Sequence, residues 1–525
     1  MWVAGAGTSQ IPLNGHEVYV AETAREMQVR GDWLIPYFNG ELRLNKPPLN
    51  YWSTGAVAWL AGQQAVQDWH ARAVSALAAT GLALLTLALG RLLYPDRRVG
   101  VLGSLLLISS LGFFTFSHDA RPDMLYALFC TAGYTALAAA WRQRQAGTTN
   151  TRFPCYAMWL AFALATLAKG PHLPAILLAA SAGFFHWNQR LPWRTVRAML
   201  RPVGGLMLMV LIAGPWWWWL RRHVGTDNLS HSQLGGALLT LDWRQVLNPY
   251  HFLRVLQLSA PWSLLLPVVL ALNWRRLSRE ALWLLIMLGV TAFILGFGSQ
   301  RRWFYMLPLL PALCLLTAEG LLQSWSASEA ARRWLRHANV VLWLLLTVGC
   351  GYLFFRPGCC DAAHLPWLII AVGVVCAWLL VLLAQYRTAV APDRGIVYLG
   401  SPLALALVLI ILSDSPALWS PDRFYVPRVI ESAAPHIDAD TPAVALDENP
   451  MAYIFYLRRT VQRVEGWNKL DDYLRQADRP VLAIIDSTRL SELPAAWMTK
   501  VLAKMPDDAA EPKTLLLIQN ISRTR

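Results

Sequence analysis

Cysteine is scarce in this sequence, and its spacing excludes the usual metal and redox sites. The 525 residues include seven cysteines, most of them within long apolar runs. Their spacings match neither a zinc motif nor a redox motif. Cys359 and Cys360 are adjacent, which is too close for an ordinary disulfide bond to each other. The sequence therefore predicts no metal site.

Charged residues are also few, at 15% of the sequence against 56% hydrophobic residues, and the mean hydropathy is +0.37. A helix needs about 20 apolar residues to cross a hydrocarbon core about 30 Å thick, and several runs are this long. The net charge of +14 could suggest a nucleic-acid partner, but the basic residues flank the apolar runs. The composition predicts a polytopic α-helical membrane protein that contacts membrane lipids and binds no nucleic acid.

The pattern of apolar runs predicts about twelve spans. The clearest candidates are Ala71–Leu89, Val99–Phe116, Val203–Trp219, Ala281–Phe297, Val340–Phe355, Trp367–Leu383 and Ile396–Leu412. Proline and glycine shorten or interrupt the others, which membrane helices tolerate when neighbours satisfy the freed backbone groups. These are Met124–Ala140, Tyr156–Leu167, Leu173–Phe185, Val255–Leu272 and Phe304–Leu322.

Arginine marks one set of alternate loops, which the positive-inside rule assigns to the cytoplasm. The remaining loops, including the first segment and the tail after Ser413, are then external. No signal peptide or apolar span precedes residue 17. Because such a segment needs a helix to deliver it across the membrane, we expect one upstream of Met1. The arginines of the cytoplasmic loops include Arg91, Arg97, Arg98, Arg142, Arg144, Arg152, Arg190, Arg194, Arg197, Arg201, Arg275, Arg276, Arg279, Arg332, Arg333, Arg336, Arg387 and Arg394.

The external segments have structure of their own, and the sequence divides into 1–64, a membrane domain 65–415 and a tail 416–525. His16–Met27 has apolar residues spaced for one helical face, which predicts an amphipathic helix on the membrane surface. In the tail, short apolar runs of strand length alternate with helical patterns, which predicts a small external α/β domain. Its predicted elements are strands Ala443–Leu446, Val481–Ile485 and Thr514–Ile518 and helix Lys469–Gln476.

Acidic groups occur at two external places. The first is His16 and Glu17, followed by Glu22, Arg25 and Glu26 on the predicted surface helix, where a solvated helix face is the simpler alternative. The second is Asp123 at a predicted membrane boundary, where an ionised carboxylate is costly unless it is paired. Arg121 is its nearest partner in the sequence. A structural ion pair and a catalytic role both remain open for Asp123.

Cations occur at three further external places. Lys46 precedes Pro47–Pro48, and paired proline fixes the backbone at a helix start. Lys169 follows an apolar run, as do Arg301 and Arg302. Positive charge on the external side runs against the topology bias, and a bound phosphate would balance it. External acids for proton transfer and cations for phosphate together predict group transfer from a lipid phosphate.

An ordered series of motifs carries a family resemblance across nearly the whole chain. The sequence resembles the bacterial 4-amino-4-deoxy-L-arabinose transferases, which act on lipid A, and is similar to the protein O-mannosyltransferases of glycosyltransferase family 39. The motifs are Glu17, Thr23-Ala24-Arg25-Glu26-Met27, Gly31-Asp32-Trp33 with Pro36, Lys46-Pro47-Pro48-Leu49-Asn50-Tyr51-Trp52, Arg121-Pro122-Asp123, Lys169-Gly170, Gly214-Pro215-Trp216, and Arg301 to Tyr305 with Leu307-Pro308.

The resemblance implies the C-type glycosyltransferase fold, with about thirteen spans and a periplasmic α/β domain. It implies a monomer in the bacterial inner membrane whose active site faces the periplasm. The donor would be a polyprenyl-phosphate sugar such as one on undecaprenyl phosphate, and no cofactor is implied. The acceptor would be lipid A, another glycolipid or a protein. Lys46, Lys169, Arg301 and Tyr305 match the family's phosphate-binding residues.

The chain departs from the family at the residue credited with catalysis, because His16 stands where an aspartate is usual. A neutral histidine accepts a proton near pH 7, so His16 or Glu17 could be the base, with Asp123 next. Asn45 replaces a glutamate of the aminoarabinose enzymes, and their external Glu-His-x-x-Arg motif is missing. These differences concern the sugar and the acceptor more than the reaction class.

Two alternatives remain for the function. Internal repeats and charges deep within the spans would indicate a transporter or flippase of a charged lipid, and the sequence shows neither. A relative that binds lipid phosphate without catalysis is the other alternative, which the replacement at His16 leaves open.

Overall fold

The computed structural model of the chain is mostly helical, and its contacts divide it into two units. The first unit contains Leu44–Ser53 and Arg72–Ser415, and the second contains Ser9–Arg43, Thr54–Ala71 and Pro416–Arg525. The described residues are 12–148, 150–225, 250–297, 302–327, 329–355, 365–387, 400–406, 408, 422–438, 440–447, 450–494, 497–505 and 513–520.

Helices form most of the chain up to residue 387. The helix His172–Gly183 continues into a π-helical turn over Phe184–Asn188, and a 3-10 helix, Trp303–Leu309, leads into the helix Leu310–Ala327. The helices are α1 Gly15–Arg30, α2 Leu49–Leu60, α3 Asp68–Leu93, α4 Arg97–Ile108, α5 Leu111–Ser117, α6 Pro122–Gln145, α7 Arg152–Ala168, α8 His172–Gly183, α9 Trp193–Leu200, α10 Pro202–Val224, α11 Tyr250–Leu258, α12 Leu266–Asn273, α13 Arg279–Gly296, α14 Leu310–Ala327, α15 Glu329–Phe355 and α16 Leu365–Arg387.

The helical membrane fold predicted from the sequence is confirmed. Within the described residues, five helical stretches are long and apolar enough to cross a membrane, and two bent pairs raise the number to seven. The five stretches are Asp68–Leu93, Pro122–Gln145, Trp193–Val224, Arg279–Gly296 and Trp303–Trp325. Cys359 and Cys360 lie outside the described residues, as does most of the predicted span Ile396–Leu412.

Of the predicted spans, Val99–Phe116 is not one continuous helix, and Val255–Leu272 is interrupted as its proline predicted. Val99–Phe116 bends by 60° between α4 and α5, because the Ser109 hydroxyl donates to the Leu105 carbonyl oxygen at 2.6 Å and the Ser110 side chain caps α5. Hydroxyl bonds of this kind compete with the helical ladder. Val255–Leu272 turns by 119° after α11, where Pro261 has no backbone N–H to continue the helix.

Small residues and one arginine fix the position of α6 in the first unit. A Cβ at Gly133 of α6 would lie 2.2 Å from Phe162 of α7, so glycine allows this close approach. At the other end, Arg142 donates to the carbonyl oxygens of Leu92, at 3.0 Å, and Leu93. It also pairs with Glu280 of α13 at 3.1 Å. These bonds satisfy carbonyl groups at the C-terminus of α3.

The second unit contains the small α/β domain that the sequence predicted. Its five-stranded sheet has the order β4-β3-β5-β7-β6. Strand β3 pairs in parallel with β4 and β5, whereas β7 pairs antiparallel with β5 and β6. The elements are α17 Asp422–Ala433, β3 Ala443–Leu446, α18 Met451–Leu457, β4 Val461–Val464, α19 Gly466–Gln476, β5 Val481–Asp486, β6 Trp497–Lys504 and β7 Lys513–Asn520; a separate hairpin pairs β1 Tyr37–Phe38 with β2 Glu41–Leu42.

Helix α1 belongs to this second unit and begins at a capping box. The Asn14 side chain accepts from the backbone of Glu17, and the Glu17 side chain accepts from the backbone N–H of Asn14. The helix packs against α18, and the Leu13 N–H donates to the Tyr456 hydroxyl at 2.8 Å. Because Glu17 and Glu22 are buried, the alternative of a solvated helix face is excluded.

Candidate phosphate site at the Lys169–Asp123 pair

Asp123 and Lys169 meet because α6 and α7 are neighbours that run in opposite directions. Asp123 lies in the first turn of α6, and Lys169 is the residue that ends α7. Each charge is at the helix end where the dipole stabilises it. The Lys169 Nζ pairs with an Asp123 carboxylate oxygen, and both side chains are largely buried. Arg121, the partner nearest to Asp123 in the sequence, instead binds Asp119 at 2.6 Å.

Aromatic rings surround the Lys169 ammonium. Its Nζ lies 4.7 Å from the ring centroid of Tyr305, 4.8 Å from that of Phe304 and 5.6 Å from that of Tyr126. Ring faces attract a cation and exclude water from one side of it. The ammonium is therefore held by one carboxylate and three rings, in an environment where a charge interacts strongly with an anion.

The turn between α7 and α8 is held to α6, and the charge of a second lysine, Lys46, acts on it. The Tyr126 hydroxyl donates to the Gly170 carbonyl oxygen at 3.1 Å and accepts from the Leu173 N–H at 3.3 Å. Burial, together with the charges of Lys169 and Lys46, lowers the pKa of His172 to about 4. The positive charge of Lys46 therefore contributes to the electrostatics of this turn, and His172 is neutral at pH 7.

Helix α11 adds a histidine that the sequence analysis missed. His251 is fully buried, and its ring stacks on Tyr305 at 6.1 Å with an interplanar angle of 11°. The same Tyr305 ring lies 4.7 Å from the Lys169 ammonium. Arg302 is exposed just before this tyrosine, whereas Arg301 lies outside the described residues.

The acidic candidates of the first external segment have different surroundings in the second unit. Glu17 is engaged in the capping box of α1, and His16 is exposed. Arg25 forms two bonds with Glu22, from Nε at 2.7 Å and from Nη2 at 2.6 Å. Burial raises the pKa of Glu22 to about 7, although the Arg25 guanidinium lowers it.

Glu22 should make the stability of the protein depend on pH. Because its folded pKa lies above its ordinary value of 4.5, its contribution is fully present below pH 4.5 and is lost as pH rises through 7. The shift corresponds to about 3 kcal/mol. We expect Glu22→Gln to reduce the fall in melting temperature between pH 5 and pH 8, measured on the purified protein in detergent.

The exposed Glu431 of α17 provides the control for this measurement. Glu431→Gln should leave the pH dependence of the melting temperature unchanged. Equal pH dependence in Glu22→Gln and in the unaltered protein would contradict the assigned role of Glu22.

The first unit therefore brings together Lys46, Lys169, Asp123 and Tyr305 of the predicted residues. Arg72, at 2% exposure in the first turn of α3, is a further buried cation that sequence reasoning missed. Such an arrangement can bind an anion, because the buried Lys169 ammonium and the positive charge of Lys46 both act at one turn. Among the described residues, no group of three histidine, cysteine or acidic side chains could hold a metal ion.

Known proteins resemble the chain in sequence and in fold. The family described as dolichyl-phosphate-mannose-protein mannosyltransferase matches residues 13–226. An undecaprenyl phosphate-α-4-amino-4-deoxy-L-arabinose arabinosyl transferase of Shewanella sediminis is 27% identical over 84% of this chain and 80% of its own length. An uncharacterized protein of Aquifex aeolicus is 24% identical over 63% of each chain.

The fold is that of solved structures of ArnT from Cupriavidus metallidurans. The apo structure matches with a TM-score of 0.75, and the structure bound to undecaprenyl phosphate matches with 0.76. Each match has 18% sequence identity and covers 98% of this chain and 95% of the other. With the ordered motifs, these matches show that the chain has the fold of ArnT, a C-type membrane glycosyltransferase, and is similar in sequence to the aminoarabinose transferases and the protein O-mannosyltransferases.

Proposed function

We propose that the protein transfers a sugar from a polyprenyl-phosphate donor, such as undecaprenyl phosphate, to an acceptor at the periplasmic face of the bacterial inner membrane. The observation that carries this proposal is the Lys169 ammonium, buried among three rings beside Asp123, with Lys46 acting on the same turn. A lipid phosphate that enters from the bilayer supplies the anion that these cations bind. The Shewanella sediminis relative is named as an undecaprenyl phosphate-aminoarabinose transferase, which supports this donor class.

The proposed reaction is an inverting substitution at the anomeric carbon. The acceptor hydroxyl oxygen forms a bond to that carbon while the bond from the carbon to the phosphate oxygen breaks. The polyprenyl phosphate leaves with the electron pair, and the proton of the hydroxyl passes to a base. Lys46 and Lys169 stabilise the charge that develops on the phosphate, while Tyr305 orients the Lys169 ammonium. Arg301, Arg302 and Arg121 are further candidates for contact with the substrates.

We assign the base to the first external segment. The Glu17 carboxylate is engaged in the α1 cap, and the Asp123 carboxylate is paired with Lys169. His16 is exposed, and a neutral imidazole accepts a proton near pH 7. His16 is therefore the first candidate, ahead of Glu17 and Asp123. Arg25 holds Glu22 within the same helix and supports the position of His16 indirectly.

The acceptor we propose is lipid A, and the sugar is a pentose of the aminoarabinose type. The sugar follows from the names of the relatives, and the acceptor follows from the resemblance to the aminoarabinose transferases. The alternatives are a hexose donor and a glycolipid or protein acceptor, since the resemblance also includes the mannosyltransferases. The protein would act as a monomer with several spans and would require no cofactor.

Mass spectrometry of lipid A and extracted glycolipids, from cells with and without the gene, tests this function. We expect a sugar-bearing species that disappears in cells without the gene. It should form again when purified protein, in vesicles that contain lipid A, receives the polyprenyl-phosphate sugar. Donor binding without any transferred sugar would indicate the inactive lipid-phosphate-binding relative. Movement of intact donor across the vesicle membrane without transfer would favour the flippase instead.

A further inference from the structure

A second charged surface lies at the end of the helices opposite Asp123 and Lys169. Helix α6 has 24 residues, so its two ends are about 36 Å apart. Asp123 lies at one end, and Arg142 and Arg144 lie at the other. Helix α7 begins at this second end, α8 with its π-helical turn ends there, and α10 begins there. This surface is therefore separate from the proposed phosphate site.

The segment that forms this surface contains basic residues and no acids, and the nearby Glu280 of α13 pairs with Arg142. Between Asp123 and Asp227 the sequence has no aspartate or glutamate. Arg190, Arg194 and Arg197 are exposed, and none of them has a carboxylate partner within the part of the chain that the structure describes. Three exposed guanidinium groups without a protein counter-ion leave a positive field that an external anion can neutralise.

Exposed tryptophan rings lie beside these arginines. Trp187 is 75% exposed and Trp193 is 47% exposed. Tryptophan is typical of the membrane–water interface because its ring is apolar and its N–H is polar. On α9, Val196 and Met199 are buried, so the apolar face of this helix packs on the protein while its arginines face outward.

The segment is also fixed in position by bonds from α7. The Trp159 Nε1–H donates to the Leu200 carbonyl oxygen at 2.6 Å, and the Cys155 thiol donates to the Met199 carbonyl oxygen. These bonds satisfy two carbonyl groups at the C-terminus of α9. The His186 ring stacks on Trp193 at 4.2 Å. A segment whose backbone is already fixed loses little backbone freedom on binding.

We infer that this segment binds the phosphate headgroups of anionic phospholipids in the leaflet opposite the Lys169–Asp123 pair. Guanidinium groups bind phosphate through paired N–H donors, and the tryptophan rings insert beside the headgroups. This places the substrate site and the lipid-binding surface at opposite ends of the same helices. The surface, here called the tryptophan–arginine surface, consists of Trp187, Arg190, Trp193, Arg194 and Arg197.

The test measures lipid binding by the full-length protein in detergent, through its melting temperature and through native mass spectrometry. Phosphatidylglycerol should bind and raise the melting temperature, whereas phosphatidylcholine should not. We expect the triple variant Arg190→Gln, Arg194→Gln and Arg197→Gln to weaken phosphatidylglycerol binding at least about tenfold at low salt. High salt should remove most of the difference.

A matched control removes three exposed arginines from the same end of the helices, in Arg91→Gln, Arg97→Gln and Arg98→Gln. It should retain most of the binding, because Asp96 already pairs with Arg98. Replacement of Arg190, Arg194 and Arg197 by lysine should retain part of the phosphatidylglycerol binding. This variant also tests the surface if the glutamine variant does not fold. Equal losses in the control and the glutamine variant would overturn the inference, as would equal binding of inorganic phosphate at the same concentration.

Discussion

Lys46→Ala should abolish sugar transfer while leaving the protein folded. The lysine is partly exposed, in a turn that the buried Pro47 and Pro48 hold in place, so its truncation creates no cavity. Loss of one group that stabilises developing charge lowers turnover by about 10²–10³-fold. The measurement is transfer from radiolabelled polyprenyl-phosphate sugar in reconstituted membranes, with the melting temperature as the readout of folding.

Two further variants identify the cause of the loss. Lys46→Arg keeps the positive charge and should keep part of the turnover, although an arginine fork does not match an ammonium group. Lys469→Ala removes an exposed lysine from α19 and should leave turnover unchanged. Full turnover in Lys46→Ala would exclude this lysine from phosphate binding.

The tail shows which strands a sequence reveals. Strands β3, β5 and β7 were predicted because their apolar runs are buried in the sheet. Strands β4 and β6 were missed because edge strands carry more polar residues. Two of the four residues of β4 are exposed, as is much of β6. A run of apolar residues reveals a strand that is buried on both faces, and an edge strand is not buried in this way.

The site shows a similar limit. The sequence identified Lys46, Asp123 and Lys169, because charges beside apolar runs stand out. The sequence did not predict that Asp123 pairs with Lys169. Arg121 is only two positions from Asp123, whereas Lys169 is 46 positions away and reaches Asp123 only because α6 packs against α7. Residues two positions apart do not face each other at a helix.

His251 and Arg72 were missed for another reason. Each lies in or beside an apolar run, and their burial depends on helices that are distant in sequence. A buried arginine within a candidate span is itself a signal of function, because an unpaired charge there is costly. That signal could have singled out Arg72, whereas the stacking of His251 on Tyr305 required the fold.

Asp123→Asn should reduce sugar transfer about a hundredfold, because it removes the carboxylate that positions the Lys169 ammonium. It should also destabilise the protein by about 3–5 kcal/mol, because Lys169 is left as a buried charge without its partner. Lys169→Gln should show the same two effects, since it leaves the carboxylate unpaired. Sugar transfer in reconstituted membranes and the melting temperature in detergent measure the two effects separately.

The double variant Asp123→Asn with Lys169→Gln distinguishes a structural pair from a functional one. It contains two neutral side chains that can hydrogen-bond, so the buried charge is gone and stability should return towards that of the unaltered protein. Sugar transfer should stay lost, because no ammonium remains there to bind the donor phosphate. If the double variant recovered both stability and transfer, the pair would serve only to hold α6 against α7, and the phosphate would have to be bound by Lys46 and other cations.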